Sequence, residues 1–209
     1  MHLVDITDCD IDGWPTVRSC NEVPDRLISF CIGAKDKDGY AHFFLDDYRF
    51  ERLWRCPERY IDALREYKGV IGPDFSIYTD MPWPMQVWNK YRAMALTNYW
   101  QRMGIDVIPN LVWSDRKSLW YMFDGMPNGG TFCVGTVGMP KADAETRENF
   151  QNGLDAAIEM LHPDTLLIYG SYRKFDTHGS CDVVYFENDN RERLSQWESK
   201  NVVKSKEGR

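Results

Sequence analysis

Long apolar runs, paired cysteines and an excess of positive charge are all missing from this 209-residue sequence. No stretch approaches the ~18 apolar residues that a membrane-spanning helix needs. The opening MHLVDITDCDIDG carries four aspartates and no Lys or Arg, which excludes the pattern of a secretory signal. Six cysteines, at 9, 20, 31, 56, 133 and 181, are dispersed and form no C-x-x-C pair. A disulfide scaffold, a zinc ribbon and a thioredoxin-type centre therefore lack their spacing. The chain reads as cytoplasmic, with reduced thiols. Lysine and arginine number 25 against 32 acidic residues, a formal charge of −7. A protein that coats nucleic-acid phosphates presents a basic face, so nucleic acid is not an expected partner, nor is a membrane.

Several catalytic signatures are missing too. The four histidines show neither H-x-H nor H-E-x-x-H spacing, and Ser171 after Gly170 lies outside any G-x-S-x-G elbow. Gly129-Gly130 and Gly135-Thr136-Val137-Gly138 match neither a P-loop nor a dinucleotide fingerprint. Asp8–Gly13 reproduces the first half of a calcium loop, but Ser19 stands where the bidentate glutamate is required, so an acidic turn is the better reading.

What is present is a globular composition: 43% hydrophobic residues, with 8 Trp, 11 Tyr and 10 Phe to fill one sizeable core. No repeat or linker divides the chain. The expected organisation is an acidic N-terminal arm or cap over 1–24, a single α/β domain over 25–198 and a basic tail over 199–209. Strand-like runs occur at Leu27–Cys31, His42–Leu45, Gly69–Gly72, Val107–Trp113, Thr131–Val137, Thr165–Tyr169 and Asp182–Phe186. Helical patterns fall between them at Pro57–Tyr67, Pro84–Met103, Asp115–Phe123 and Ala144–Leu161. Pro57 and Pro84 suit first helical turns, and Gly104 suits a helix stop. Repeated β-α units of this kind predict a mainly parallel sheet. The expected form is barrel-like, an incomplete TIM-type barrel, because a full one usually needs about 250 residues. An open doubly wound sheet is the alternative.

In either architecture ligands bind at the carboxyl ends of the strands. Polar residues gather at those ends: Asp46 and Asp47, then Asp74, Ser76 and Asp80, then Asn110 and Asp115, then Thr136, then Ser171. Singly, each such Asp or Ser is an ordinary helix cap; together they point to a pocket. Asp46, Asp47 and Asp74 are the candidate acid–base residues, since paired carboxylates can split their pKa values. Asp46, Asp74 and Asp80 are candidate ligands for a divalent cation, Mg²⁺ or Mn²⁺, which favour oxygen donors. Ser76, Asp80, Asn110, Asp115, Thr136 and Ser171 are candidate ligand contacts. Arg92 would meet an anionic group or pair with a structural carboxylate, and Trp113 at a strand end would stack on a planar ligand.

The segments VPDRLISF (23–30), HFFLDDYRFERLW (42–54), GPDFSIYTDMP (72–82), QVWNKYRAMALTNYWQ (86–101), VIPNLVWSD (107–115), FDGMP (123–127) and LLIYGS (166–171) resemble an uncharacterised domain family found mainly in bacteriophages and bacterial mobile elements. The resemblance runs from about Val23 to Glu187. It implies a mobile-element origin and a bacterial host cell, but no activity. It leaves three readings. The first is a polar, nucleotide-like small-molecule site at the strand ends, with metal-dependent hydrolysis or simple sequestration as its use. The second is a non-enzymatic accessory protein that binds a host protein through an acidic, aromatic-rich surface. The third, a nuclease, is disfavoured by net charge.

Overall fold

Every strand pairing among residues 8–188, the part of the chain that the computed structural model describes, is parallel. Strands β1 (Leu27–Ser29), β2 (Tyr40–His42), β3 (Gly69–Ile71) and β4 (Val107–Ile108) form one sheet in that order. Strands β5 (Asn110–Leu111), β6 (Thr131–Gly135), β7 (Thr165–Tyr169) and β8 (Asp182–Phe186) form a second. The chain is thus an α/β protein, and neither sheet shows the reversal of order that defines a doubly wound fold. No pairing joins β8 to β1 among the described residues.

Pro109 explains why the expected strand Val107–Trp113 is divided and short. It has no N–H to give to a ladder, so pairing stops on either side of it. Its carbonyl still accepts from the Cys133 amide at 2.9 Å, which keeps the two sheets in register with each other. The expected strand His42–Leu45 also moves: the ladder runs over Tyr40–His42, and Phe43–Leu45 continue beyond its end.

The connections are helical where the pattern is strongest. They are α1 (Glu51–Arg55), α2 (Ile61–Arg65), α3 (Trp83–Arg102), α4 (Leu119–Met122) and α5 (Ala144–Leu161). The expected helix Pro57–Tyr67 is a 3₁₀ turn, Pro57–Tyr60, leading into α2. Helix α5 matches its expected bounds; the Asp143 carboxylate accepts from the Thr146 amide at 2.8 Å, and Phe150, Leu154, Ala157 and Leu161 form its buried stripe.

Strand side chains alternate between two cores. On β6 and β7, Phe132, Val134, Leu166 and Ile168 pack under α4 and α5, while Cys133, Leu167 and Tyr169 face the other way. That second face collects Leu27, Tyr40, Ile71, Ile108, Cys133 and Leu167 from both sheets into one apolar cluster. Phe43, Val70, Leu96 and Trp100 belong to a third cluster beneath α1, α2 and α3.

Helix α3 buries several polar side chains, and Gln101, Asn98 and Arg92 tie it to neighbouring segments. Gln101 exchanges hydrogen bonds with the Arg18 backbone, at 2.9 and 2.8 Å, and Asn98 donates to the Thr16 carbonyl at 2.7 Å. These bonds lay the N-terminal segment along α3. Arg92 donates to Glu51 Oε2 at 2.7 Å and to Asn89 Oδ1 at 2.6 Å, with its guanidinium 3.9 Å from the Phe75 ring centre. Removing one partner of a buried pair leaves the other charge uncompensated. Glu51→Gln is therefore expected to lower stability by about 2 kcal/mol in urea unfolding, moving the midpoint but not the slope.

Among the described residues no helix is long and apolar enough to cross a membrane. The expected basic tail, 199–209, lies outside the described residues, as does His2.

Candidate functional site

Where β3, β5 and β6 end, a cleft of about 370 Å³ opens between the following loops and the start of α5. Asp74, Ile77 and Tyr78 come from the loop after β3, and Val112, Trp113 and Ser114 from the segment after β5. Thr136, Gly138, Met139, Lys141 and Ala142 follow β6, and Thr146 and Phe150 reach in from α5. The walls are largely apolar, and the polar groups are few and placed apart.

Asp74 is the most unusual of them. Burial pushes its carboxyl up to about 6; the nearby Asp47 charge acts in the same direction, and the hydrogen bond from Asn110 opposes both. Asn110 Nδ2 donates to Asp74 Oδ1 at 2.8 Å. Asn110 itself is 7% exposed, and its Oδ1 is buried without a partner. If the amide turned over, that oxygen would accept a proton-bearing Asp74 hydroxyl, so the pair can hold either protonation state. Below Asp74 lies Cys133, whose thiol is raised by burial and by the Asp74 charge.

Asp47 flanks this pair but is committed elsewhere. Its carboxylate accepts from the Ser76 hydroxyl at 2.8 Å and from the Ser76 amide at 3.2 Å. Tyr78 donates to Ser76 Oγ at 3.2 Å, and Asn89 to the Ser76 carbonyl at 2.7 Å, which ties the loop after β3 down to α3. Thr136 is fully buried and donates to the Tyr169 carbonyl at 3.0 Å. Trp113 donates to the Asn149 carbonyl at 3.1 Å and packs on Phe123 and Phe150, so its indole is fixed as a wall.

The remaining sequence candidates lie apart from this cleft. Asp46 is exposed at the start of a 3₁₀ turn, Asp47–Arg49, and Asp80 is exposed in the turn before α3. Among the described residues no three His, Cys, Asp or Glu side chains gather closely enough to hold a metal ion. Asp46, Asp74 and Asp80 do not gather into one such group: two of the three sit on solvent-facing turns. Asp115 caps a 3₁₀ turn, accepting from the Lys117 and Ser118 amides at 3.0 and 3.2 Å. Arg92 is held by Glu51 and Asn89 as described and does not line the cleft. Ser171 follows Gly170, whose φ of 118° and close approach to Thr136 leave no room for a Cβ; it too is outside the lining. The Asp8–Gly13 segment is a turn in which Asp10 Oδ1 accepts from the Asp12 and Trp14 amides.

Thr146 and Phe150 are lining residues that strand-end reasoning does not reach. The available signal is the short β6–α5 connection, because a helix that starts close to a strand end leans its first turns over that end.

The chain is similar to the Gene 1 protein of Mycobacterium phage L5, 37% identical over 167 residues that make up 78% of this chain and 72% of the relative. It is also similar to the Gene 1 protein of Mycobacterium phage D29, 35% identical over 167 residues, 78% of this chain and 62% of that relative. It therefore spans less than two thirds of the D29 protein. No solved structure matches it. The family model described as a domain of unknown function, DUF4417, matches residues 9–187, so the match includes most of the N-terminal segment that lies along α3. The chain belongs to this uncharacterised, phage-associated DUF4417 family.

Proposed function

We propose that this chain is a phage-encoded protein of the host cytoplasm that binds a small polar, nucleotide-like ligand in the cleft, with Asp74 handling a proton. The observation that carries this reading is the Asp74 carboxyl, held at about 6 at the floor of a walled cleft. A group whose pKa lies near the working pH is suited to give and take protons, and strongly perturbed carboxyls concentrate at functional sites. A volume of about 370 Å³ is at the small end for ligand pockets, which suits a mononucleotide-sized molecule. Trp113 and Tyr78 supply flat apolar surface, and Lys141 supplies a cation for an anionic group at the mouth.

The architecture supports the placement. We read the two sheets as arcs of one curled, incomplete barrel. Only Pro109 separates β4 from β5, a single inner cluster draws on both sheets, and the His42 ring on β2 lies 4.3 Å from the Tyr169 ring on β7. Barrels of this type bind ligands at the carboxyl end. A hydrolytic version of the site needs Mg²⁺ or Mn²⁺ held by Asp74, with the ligand's phosphate and water completing the shell. A sequestering version uses the cleft without turnover.

Thermal unfolding with a panel of mononucleotides, each with and without Mg²⁺ or Mn²⁺, tests this. A ligand at a hundred times its Kd stabilises by about 2.7 kcal/mol, or roughly 5–10 °C in a chain of this size. A shift present in the wild type and reduced in Trp113→Leu supports the cleft. A flat response across the panel overturns it.

A second reading, docking on a host protein, is favoured by a different observation. Trp83 and Trp120 are 54% and 67% exposed, with their rings stacked at 6.3 Å between centres. Exposed aromatic pairs of this kind mark protein interfaces more than free surface.

A further inference from the structure

The first half of α3 and the N-terminal turn at Asp12–Trp14 enclose a second concavity, separate from the cleft. Trp14, Val87, Trp88 and Tyr91 line it, and Asp12 stands at its edge. Trp88 and Tyr91, three residues apart on α3, stack at 6.0 Å with ring planes within 11° of parallel. Trp88 is braced by the edge of the Trp54 ring at 5.5 Å and is still 37% exposed.

The exposed charge here has one sign. The Asp12 carboxylate is exposed and makes no hydrogen bond or ion pair among the described residues, whereas its backbone amide is used by Asp10. The exposed Asp8 and half-buried Asp10 stand in the same segment. The cations of α3 closest in sequence, Lys90 and Arg92, are both buried and already partnered. Lys90 donates to the Tyr121 and Asp124 carbonyls, with its Nζ 3.9 Å from the Trp14 ring centre. Burial pulls its pKa down to about 7, against the pull of Asp124 and Asp10.

Aromatic faces beside an unpaired carboxylate are the chemistry that takes a cationic side chain. Arginine suits it better than lysine, because its planar, weakly hydrated guanidinium stacks on rings and forks onto carboxylates. We propose that this pocket receives an arginine side chain from a partner protein, stacked against Trp88 and Tyr91 and paired with Asp12. The neighbouring exposed Trp83 and Met85, with Trp120, then cover the apolar residues beside that arginine. This deepens the docking reading above and rests on it; it is independent of the cleft.

The test is binding of short labelled peptides, each with a central arginine between leucines, to the full chain, followed by fluorescence anisotropy. A second peptide carries citrulline, which keeps the shape and loses the charge, and a third carries lysine. The arginine peptide is expected to bind about tenfold more tightly than the citrulline peptide, with lysine between them. Asp12→Asn, a change at an exposed turn, is expected to weaken the arginine peptide about fivefold and leave the citrulline peptide unchanged. Raised salt should narrow the difference. Equal binding of arginine and citrulline peptides, lost in Trp83→Ala, overturns the arginine pocket while the docking reading stands. Absence of binding by any peptide overturns the pocket, and if Trp83→Ala and Trp120→Ala also leave capture of host proteins unchanged, the docking reading falls separately. Tetramethylammonium competing as strongly as the peptide assigns the pocket to a small cation and overturns a protein partner. A dimer in sedimentation that Asp12→Lys abolishes assigns the surface to a second copy, with the same consequence.

Discussion

Asp74→Asn is expected to melt above the wild-type protein near pH 8 and close to it near pH 4. Folding raises the Asp74 pKa from 3.8 to about 6, because burial disfavours the ionised form. Between those two values the folded chain holds a proton that the unfolded chain has released, so stability falls as pH rises through this window. Above about pH 6 the full penalty is present. Asparagine removes the charge and keeps an oxygen to accept from Asn110 Nδ2, so the hydrogen bond at 2.8 Å survives. A shift of about two pKa units corresponds to ~3 kcal/mol at most; partial solvent contact at the cleft reduces this to about 1–3 kcal/mol. That is roughly 3–8 °C at alkaline pH, read by calorimetry in a series of buffers. The same variant is expected to lose proton transfer, by about 10²–10⁴-fold if the site turns over its ligand. Higher stability with lower activity marks a residue kept for function at a cost to the fold. A variant less stable than wild type at pH 8 would instead make Asp74 a structural carboxylate, and the acid–base reading would fall.

How much of this was legible in the sequence depends on how local the signal is. Helix α5 could be read to its ends because its cap, its apolar stripe and its length all lie within Asp143–Leu161. Helix α1 left no such mark: Phe50 precedes it without a side-chain cap, and its five residues are too few to show a period. The alternation at Phe43 and Phe44 looks like a strand because it continues the pleat. Phe43 packs under the helices and Phe44 on the opposite face, although the ladder has already ended at His42. The cleft's general location followed from the rule that strand carboxyl ends carry sites. Which aspartate is buried at that cleft did not follow, because the same residue type caps turns, organises loops and lines clefts. Asp115 is a cap, Asp47 organises the Ser76 loop, and Asp46 and Asp80 sit on exposed turns. Asp74 is set apart only by what surrounds it, and Asn110 and Cys133 are 36 and 59 residues away in the chain. Arg92 presents the same difficulty: its partner Glu51 lies 41 residues before it.

Gly153→Ala is expected to destabilise the chain by about 2 kcal/mol, against the direction that helix propensity predicts. In the interior of a solvent-facing helix, alanine gains ~1 kcal/mol over glycine. Gly153 lies instead under Trp113, and a Cβ there would overlap the indole ring. The ring cannot swing aside cheaply, because its Nε1 is bound to the Asn149 carbonyl one helical turn earlier and the Phe123 and Phe150 rings pack against it at 6.3 and 5.4 Å between centres. Overpacking at such a contact costs about 1–3 kcal/mol after the helix gain is offset. Urea unfolding should show a lower midpoint with unchanged slope. The loss should vanish in the Trp113→Leu background, where the smaller side chain leaves room and alanine's helix preference reappears; that coupling, of about 1–3 kcal/mol, isolates the contact. Because the indole is also a wall of the cleft, Gly153→Ala should weaken any cleft ligand that Trp113→Leu weakens, although residue 153 itself does not line the cleft. Loss of stability without loss of ligand affinity would show that Trp113 serves the fold alone, and the flat surface assigned to the ligand would have to come from Tyr78.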